Sequence, residues 1–395
     1  MISQAAKKVL RKFVLCDNCL GRCFSQLLTG LTNAERGRII RSFLALEYEA
    51  REFRIRPENF YGFRFRHGKR FRKKKCELCG GLFERLPKIA RRIKKRMQTY
   101  EFETFMVSSR FPEELLEAEE RVVKEIGIKW YESLKAEFNR ELGKLIEKET
   151  GKGADERNPD LIIFWDSGKV KLEPQPLYIF GYYKKLSRNL PQTRKEGYPE
   201  SVESIIAKPF LKRTGEGERF HGMGREDIDV RCLDWRPWVL EILKPKKRTL
   251  DLKQIQREIN GSRKVRVKGL RKAGKAEVRQ VKQLQPDKSY RVLVETEGEI
   301  NEKILQRLKR LKNIQQRTPL RVAKRRADLV RRRKVKELRW KLISKRRFEL
   351  VLRAEAGLYI KELVTGDEGR TNPSVSGLLG MKAKPLKLDV IKIWL

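Results

Sequence analysis

Histidine is almost missing from this 395-residue chain, which has only His67 and His221. That scarcity argues against a histidine triad and against a His-rich catalytic metal centre. The chain has no Gly-x-x-x-x-Gly-Lys-Ser/Thr loop and no Gly-x-Gly-x-x-Gly fingerprint, so neither a P-loop ATPase nor a dinucleotide-binding turn is indicated. No apolar run approaches the length that crosses a bilayer, and residues 1 to 15 are basic without the continuous apolar stretch of a secretory signal. A cytoplasmic protein with no membrane partner is expected. The six cysteines are too few for a disulfide scaffold in a chain this long. Any chemistry must therefore be carried by carboxylate, Tyr, Lys or Arg.

Acidic residues are also short, with 52 Asp and Glu against 94 Lys and Arg, for a formal net charge of +42. An excess spread so widely implies a polyanionic partner, and nucleic acid is the obvious one. It says nothing about fold, but 39% hydrophobic residues suffice for real cores. The length predicts two or three domains. The polar stretch at residues 150–159 reads as a hinge, giving an accessory region over residues 1–155 and a main body over 156–395.

In the first region Cys16-Asp-Asn-Cys19 and Cys76-Glu-Leu-Cys79 are two Cys-x-x-Cys knuckles, separated by 56 residues. Cys16, Cys19, Cys76 and Cys79 offer four soft ligands, which suits a structural tetrahedral zinc ion. The competing readings are a dithiol redox pair and unliganded cysteines, with Cys23 able to substitute in a shifted site. A helix is expected from Asn33 to Leu46, capped by Asn33, with Ile39, Ile40, Phe43 and Leu44 on its apolar side. Residues 64–75 carry eight Lys or Arg and residues 88–96 carry six. With aromatics of Phe60–Phe65 interleaved, such runs can hold phosphate and stack bases, or they are simply solvated faces. A strand near Tyr100–Val107 and a helical pattern from Pro112 to Leu145, broken near Gly127, complete a small α/β region.

The second region predicts a hairpin about Asp166–Gly168, strands at 238–243, 263–269, 276–284, 288–295, 334–343, 348–355 and 387–394, and fewer helices. Many hairpin-like connections argue for a mixed, largely antiparallel sheet rather than a doubly wound one: an α+β arrangement. Residues 178–194 mix aromatics, bases and turn residues, as in a nucleic-acid-facing segment or a packed aromatic loop. Residues 321–336 carry nine Lys or Arg, a density that needs an anion to neutralise it. The most distinctive stretch runs from Phe220 to Arg231. Gly222 and Gly224 mark a tight loop, and Asp227 lies between Arg225 and Arg231. A carboxylate in basic surroundings stays ionised and is usable as a nucleophile or base. The same pattern also fits a plain ion-paired loop at a sheet edge, with Asp229 as a second carboxylate.

At Gly224-Arg-Glu-Asp-Ile-Asp-Val-Arg231 the chain resembles the archaeal-type tRNA pseudouridine synthases that modify adjacent uridines 54 and 55 of the TΨC arm. Supporting segments span nearly the whole length: Cys16-Asp-Asn-Cys-Leu-Gly-Arg22, Pro191-Gln-Thr-Arg194, Gln316-Arg-Thr-Pro319, Arg325-Arg-Ala-Asp328, Tyr359-Ile-Lys-Glu362 and Gly366-Asp-Glu-Gly-Arg-Thr371. The resemblance implies a pseudouridine synthase-type sheet preceded by a THUMP-related tRNA-binding domain with a four-cysteine zinc module. It implies that Asp227 is the catalytic carboxylate, that Arg225 helps hold the flipped nucleotide, that Tyr290 stacks on the target base and that Lys361 pairs with the aspartate. Arg317, Arg325, Arg326 and Arg370 are implied substrate contacts on the TΨC arm and elbow of tRNA. Lys195, Lys324 and Thr365 depart from the family pattern. Isomerisation needs neither energy input nor redox chemistry, so no catalytic cofactor is implied, and no obligate protein partner is indicated. A non-catalytic tRNA- or rRNA-binding protein of the same fold is the alternative, and the intact Asp227, Tyr290 and Lys361 favour the enzyme.

Overall fold

Two sheets organise the chain, and each belongs to its own unit, Met1–Gln175 and Pro176–Leu395. The structure is a computed structural model that describes every residue except Met1, Glu52, His67 and Ile128, together with the side chain of Arg325. Among the described residues no helix is long and apolar enough to cross a membrane.

The first unit opens with α1 (Ile2–Lys12), α2 (Asp17–Arg22) and α3 (Asn33–Ala50). Thr32, not Asn33, caps α3. Its hydroxyl accepts from the Glu35 amide while the Glu35 carboxylate accepts from the Thr32 amide, the reciprocal box that a Thr-x-x-Glu sequence makes. The buried side of α3 is Arg36, Gly37, Arg41, Leu44 and Ala45, with Ile40 packed on the core, while Ile39 and Phe43 are exposed, so only half of the expected apolar side faces inward. The cause is close packing on α2. A Cβ on Gly37 would lie 1.9 Å from the Asp17 carbonyl oxygen, and one on Gly21 would lie 1.8 Å from that of Asn33. Of the aromatics in the following segment, Tyr61 is exposed and the others turn inward. Phe60, Phe65 and Phe71 pack with Tyr48 and Phe53 into the core, leaving the intervening bases on the surface.

Next come α4 (Leu82–Met97), β1 (Thr104–Arg110), α5 (Glu113–Ile126), α6 (Leu134–Thr150), β2 (Gly153–Ala154), β3 (Leu161–Asp166) and β4 (Lys169–Pro174). In α4, Leu82, Phe83, Leu86, Ala90, Ile93 and Met97 are buried, so its Lys and Arg residues occupy the opposite face. The sheet order is β2-β1-β3-β4, with β1 parallel to β2 and β3. Because β3 and β4 belong to this sheet, the division falls after Gln175 and not at the expected 155/156. Residues 150–159 are polar because they form a surface connection that contributes β2 within the unit.

The second unit begins with β5 (Leu177–Lys185), α7 (Val202–Thr214), β6 (Gly215–Gly222), β7 (Arg231–Pro245), α8 (Leu252–Asn260) and β8 (Val265–Ala273). It continues with α9 (Lys275–Gln283), β9 (Asp287–Thr296), α10 (Glu302–Leu305), β10 (Asn313–Arg317), β11 (Val330–Ser344) and β12 (Arg347–Ala354). It closes with α11 (Ile360–Thr365), β13 (Thr371–Asn372), α12 (Val375–Leu379) and β14 (Ala383–Trp394). The sheet runs β13-β10-β11-β12-β9-β14-β7-β5-β8, with β6 also on β7. Only the β14–β7 pair is parallel, so the sheet is mixed and largely antiparallel as expected. The expected strand at 276–284 is instead α9, of which only Val281 is buried.

Gly37→Ala is expected to destabilise the first unit by about 3 kcal/mol, because backbone on both sides leaves nothing flexible to yield. The drop should appear as a lower thermal midpoint. An unchanged midpoint would mean that α2 and α3 separate at little cost.

Candidate active site

Asp227 lies in the loop that joins β6 to β7, two antiparallel neighbours in the sheet. Gly224 takes a positive φ of 66° there, a left-handed conformation that favours glycine. Below the loop is a buried polar cluster. Arg236, on β7, forms an ion pair with Glu226 at 3.2 Å, and the two side chains are 2% and 1% exposed. The Arg236 guanidinium also donates to the Met223 carbonyl at 2.9 Å. The Tyr183 hydroxyl donates to Glu226 at 3.1 Å, and Gln192 donates to that hydroxyl and to the Gly224 carbonyl. Burial raises the Tyr183 phenol well above its usual range, and the Glu226 charge adds to this, so Tyr183 stays a donor.

The segment that follows β5 is the cradle of this loop. Lys185 Nζ donates to the carbonyls of Asp227 and Ile228, at 3.1 and 2.9 Å. Burial pushes the Lys185 amine down to about 8. Arg188 donates to the Asp229 carbonyl at 2.8 Å and to Asp389 on β14 at 2.6 Å. Arg231 holds the same Asp389 with two hydrogen bonds. The Leu190 amide donates to the Ile228 carbonyl. Residues 177–185 are therefore a strand, and residues 185–192 a packed buttress for the aspartate loop.

Two cations meet the Asp227 carboxylate. Arg321 Nη1 donates to Oδ1 at 3.0 Å, and Lys361 Nζ lies 3.4 Å from Oδ2. Lys361 is nearer to Asp229, at 2.7 and 2.8 Å. Burial opposes ionisation of Asp229, but Lys361 outweighs it and holds the carboxyl below its usual range. Arg321 also pairs with Glu362, which is buried and follows Lys361 in α11. Burial works against the Arg321 charge, yet Glu362, helped by Asp227, raises its pKa further.

The expected pairing of Lys361 with Asp227 is present, whereas Arg321 was seen in the sequence only as one of nine bases in a run. Arg225 is exposed and has no hydrogen bond or ion pair among the described residues. Tyr290 is buried on β9, opposite Leu352 of β12 and Val390 of β14, and burial pushes its phenol up to about 12. Arg317 and Arg370 both pair with Asp328, and Arg370 also donates to the Thr318 carbonyl, so they brace the turn that carries Arg321. Arg326 is exposed, and the Arg325 side chain lies outside the described residues.

In the first unit the Sγ atoms of Cys16, Cys19, Cys76 and Cys79 lie within 4.8 Å of one another. Tetrahedral zinc with thiolates at about 2.3 Å suits that spacing. Cys23 is outside the cluster and donates to the Cys19 carbonyl. Arg22 is fully buried; its nitrogens have no hydrogen-bond partner among the described residues, its guanidinium forms an ion pair with the buried Glu137 at 3.6 Å, and its charge also acts on Cys19.

Residues 178–394 match the family model described as "Pus10, C-terminal", and residues 89–166 match "Pus10 THUMP domain, archaeal". The chain is 43% identical over 399 residues to the tRNA pseudouridine synthase Pus10 of Pyrococcus furiosus, covering 100% of this chain and 98% of the relative. It is 38% identical over 431 residues to that of Methanocaldococcus jannaschii, covering 98% and 93%. A chain of a solved Cbf5-Nop10-Gar1 complex is 23% identical, covering 54% of this chain and 48% of that one, with a TM-score of 0.33.

Glu226→Ala is expected to lower unfolding free energy by about 3–5 kcal/mol, since it strands a buried guanidinium without its counter-charge. Chemical denaturation measures this, and a loss under about 1 kcal/mol would show that Arg236 finds other partners.

Proposed function

The chain belongs to the Pus10 family of tRNA pseudouridine synthases, and on that premise we propose that it isomerises uridine 54, uridine 55 or both in the TΨC arm of tRNA. The observation that carries the reading is Asp227, partly exposed on a loop fixed from below and met by two cations. That carboxylate is held in place by a cation on each of its two oxygens. It supplies the group that opens and re-forms the glycosidic bond, either by adding to the nucleotide or by taking a sugar proton. Tyr290 stacks on the uracil, and Arg225, free of internal partners among the described residues, holds the flipped nucleotide. The bond broken joins C1′ to N1 and the bond made joins C1′ to C5, with no net change in composition, so the reaction draws on no cofactor.

The TΨC arm is supported by the ordered motif set rather than by any single contact. The net charge of +42 fits a polyanion as large as tRNA, whose phosphates supply sites for both units. We place the reaction in the cytoplasm, where tRNA is processed. We also assign structural zinc to Cys16, Cys19, Cys76 and Cys79, whose four sulfurs converge on one point.

Asp227→Asn is expected to abolish pseudouridine in an unmodified tRNA transcript while leaving tRNA affinity within a few-fold of wild type. Carbodiimide labelling with primer extension locates the product. Product outside the TΨC arm would overturn the substrate assignment, and turnover by the variant would overturn the role of Asp227.

Metal analysis of the purified protein is expected to find one zinc per chain, lost in Cys76→Ser. Loss of the ion should unfold the cysteine module, since such sites contribute on the order of 10 kcal/mol to folding. A metal-free protein with an unchanged melting profile would remove zinc from the account.

A further inference from the structure

We propose that Arg321 is a positioning residue for the isomerisation: seated on Glu362, it aims the Asp227 carboxylate in a way that Lys361 alone does not. The inference rests on the assignment of Asp227 above.

The two cations differ in what they can fix. Lys361 carries a compact charge on a flexible stem, and it is closer to Asp229, at 2.7 and 2.8 Å, than to Asp227, at 3.4 Å. It attracts Asp227 but sets little direction. Arg321 is a planar fork. Its Nε and Nη2 are on the two oxygens of Glu362, and its Nη1 is on Asp227 Oδ1 at 3.0 Å. Two nitrogens fixed on one carboxylate fix the direction of the third, because the guanidinium is rigid. The anchor is itself rigid, since Glu362 is only 4% exposed and sits on α11 directly after Lys361. The ring of Tyr359 lies 5.8 Å from the guanidinium centre and limits its swing.

Both oxygens of Asp227 are thus claimed, Oδ1 by Arg321 and Oδ2 by Lys361, and rotation of the carboxylate breaks both contacts. Arg321 comes from the Leu320–Arg325 turn between β10 and β11. That turn is pinned by Asp328, which Arg317 and Arg370 grip from either side, and by the Leu320 amide on Asp367. The ordered bases at 317 and 370 thereby serve the aim of a carboxylate far away in the chain.

The test is steady-state kinetics of pseudouridine formation on unmodified tRNA. It uses wild type, R321Q, R321K, R321A, E362Q and the double variant R321Q/E362Q. R321Q is expected to lower kcat about 100-fold, the scale of a misplaced reacting group, with KM within a few-fold of wild type. E362Q should lower kcat in the same sense, and the double variant should be no worse than R321Q, because both act through one contact. Added guanidinium should restore part of the R321A rate. A rise in KM with kcat intact would make Arg321 an RNA contact and overturn the proposal, and so would additive losses in the double variant. If R321Q fails to fold, the kcat of R321K, whose single ammonium cannot span both carboxylates, reads the same claim. Absence of product from wild type would instead sink the tRNA reading itself, which separates the two failures.

Discussion

The arrangement around Asp227 depends on an ion pair that never meets water. Glu226 and Arg236 are both buried: the carboxylate is held by Tyr183 and Arg236, and the guanidinium by Glu226 and the Met223 carbonyl, with its Nε left without a hydrogen-bond partner among the described residues. Paired charges in a core are weak evidence for stability, but they are strongly directional. Here the direction matters more than the energy. The backbone from Met223 to Glu226 is held from beneath, so the next residue, Asp227, emerges at a defined point above the sheet. Lys185 then takes the two carbonyls that follow, and Arg188 takes the one after. Apart from the exposed Arg225, the residues from 223 to 229 are tied to a strand, a buttress or a buried side chain, and that rigidity suits the role proposed for Asp227.

How much of this was legible depended on whether the signal was local. The Gly-Arg-Glu-Asp loop, the two cysteine knuckles and the Tyr-Ile-Lys segment are short strings whose members act together, and the structure brings Lys361 to Asp227 and the four sulfurs to one point. Arg321 could not be singled out the same way. It is one base among nine in its run, and its importance comes from the register that sets the Leu320–Arg325 turn against α11. Lys185 was hidden for another reason. It occupies a buried position in a strand whose alternation of inward residues is regular from Leu177 onward, but a lysine at an inward position breaks the amphipathic pattern a reader looks for. In β6, glycines at 215 and 217 obscure the strand, and in α9 a helix with one buried residue left too faint a stripe to separate from a strand.

The basic surplus also divides in a way that composition cannot show. Arg236, Lys185, Arg22 and Arg41 are interior or nearly so and hold backbone or acids. Arg317 and Arg370 are occupied by Asp328, and Arg188 and Arg231 by Asp389. The outer face of α4 is mixed: Lys94 pairs with Glu149 and Arg96 donates to the Val170 carbonyl, whereas Lys88, Arg92 and Lys95 are exposed. A count of positive charge therefore overstates the surface offered to RNA, and residues that look like phosphate ligands in a string can be fasteners in the fold.

The place of β14 has a consequence in time. This strand is inserted between β9 and β7, and its Asp389 is the acid that Arg188 and Arg231 grip beside the Asp227 loop. Yet it is the last strand of its sheet to be synthesised. A nascent chain can already display Asp227, Lys361 and the turn bearing Arg321, but the middle of its sheet stays open until β14 has left the ribosome tunnel. Until then the loop lacks one of its tethers and the interior strand edges of β9 and β7 are unpaired. A chain that lacks β14 thus lacks the Asp389 tether of the Asp227 loop, and its two open edges need shelter from other chains.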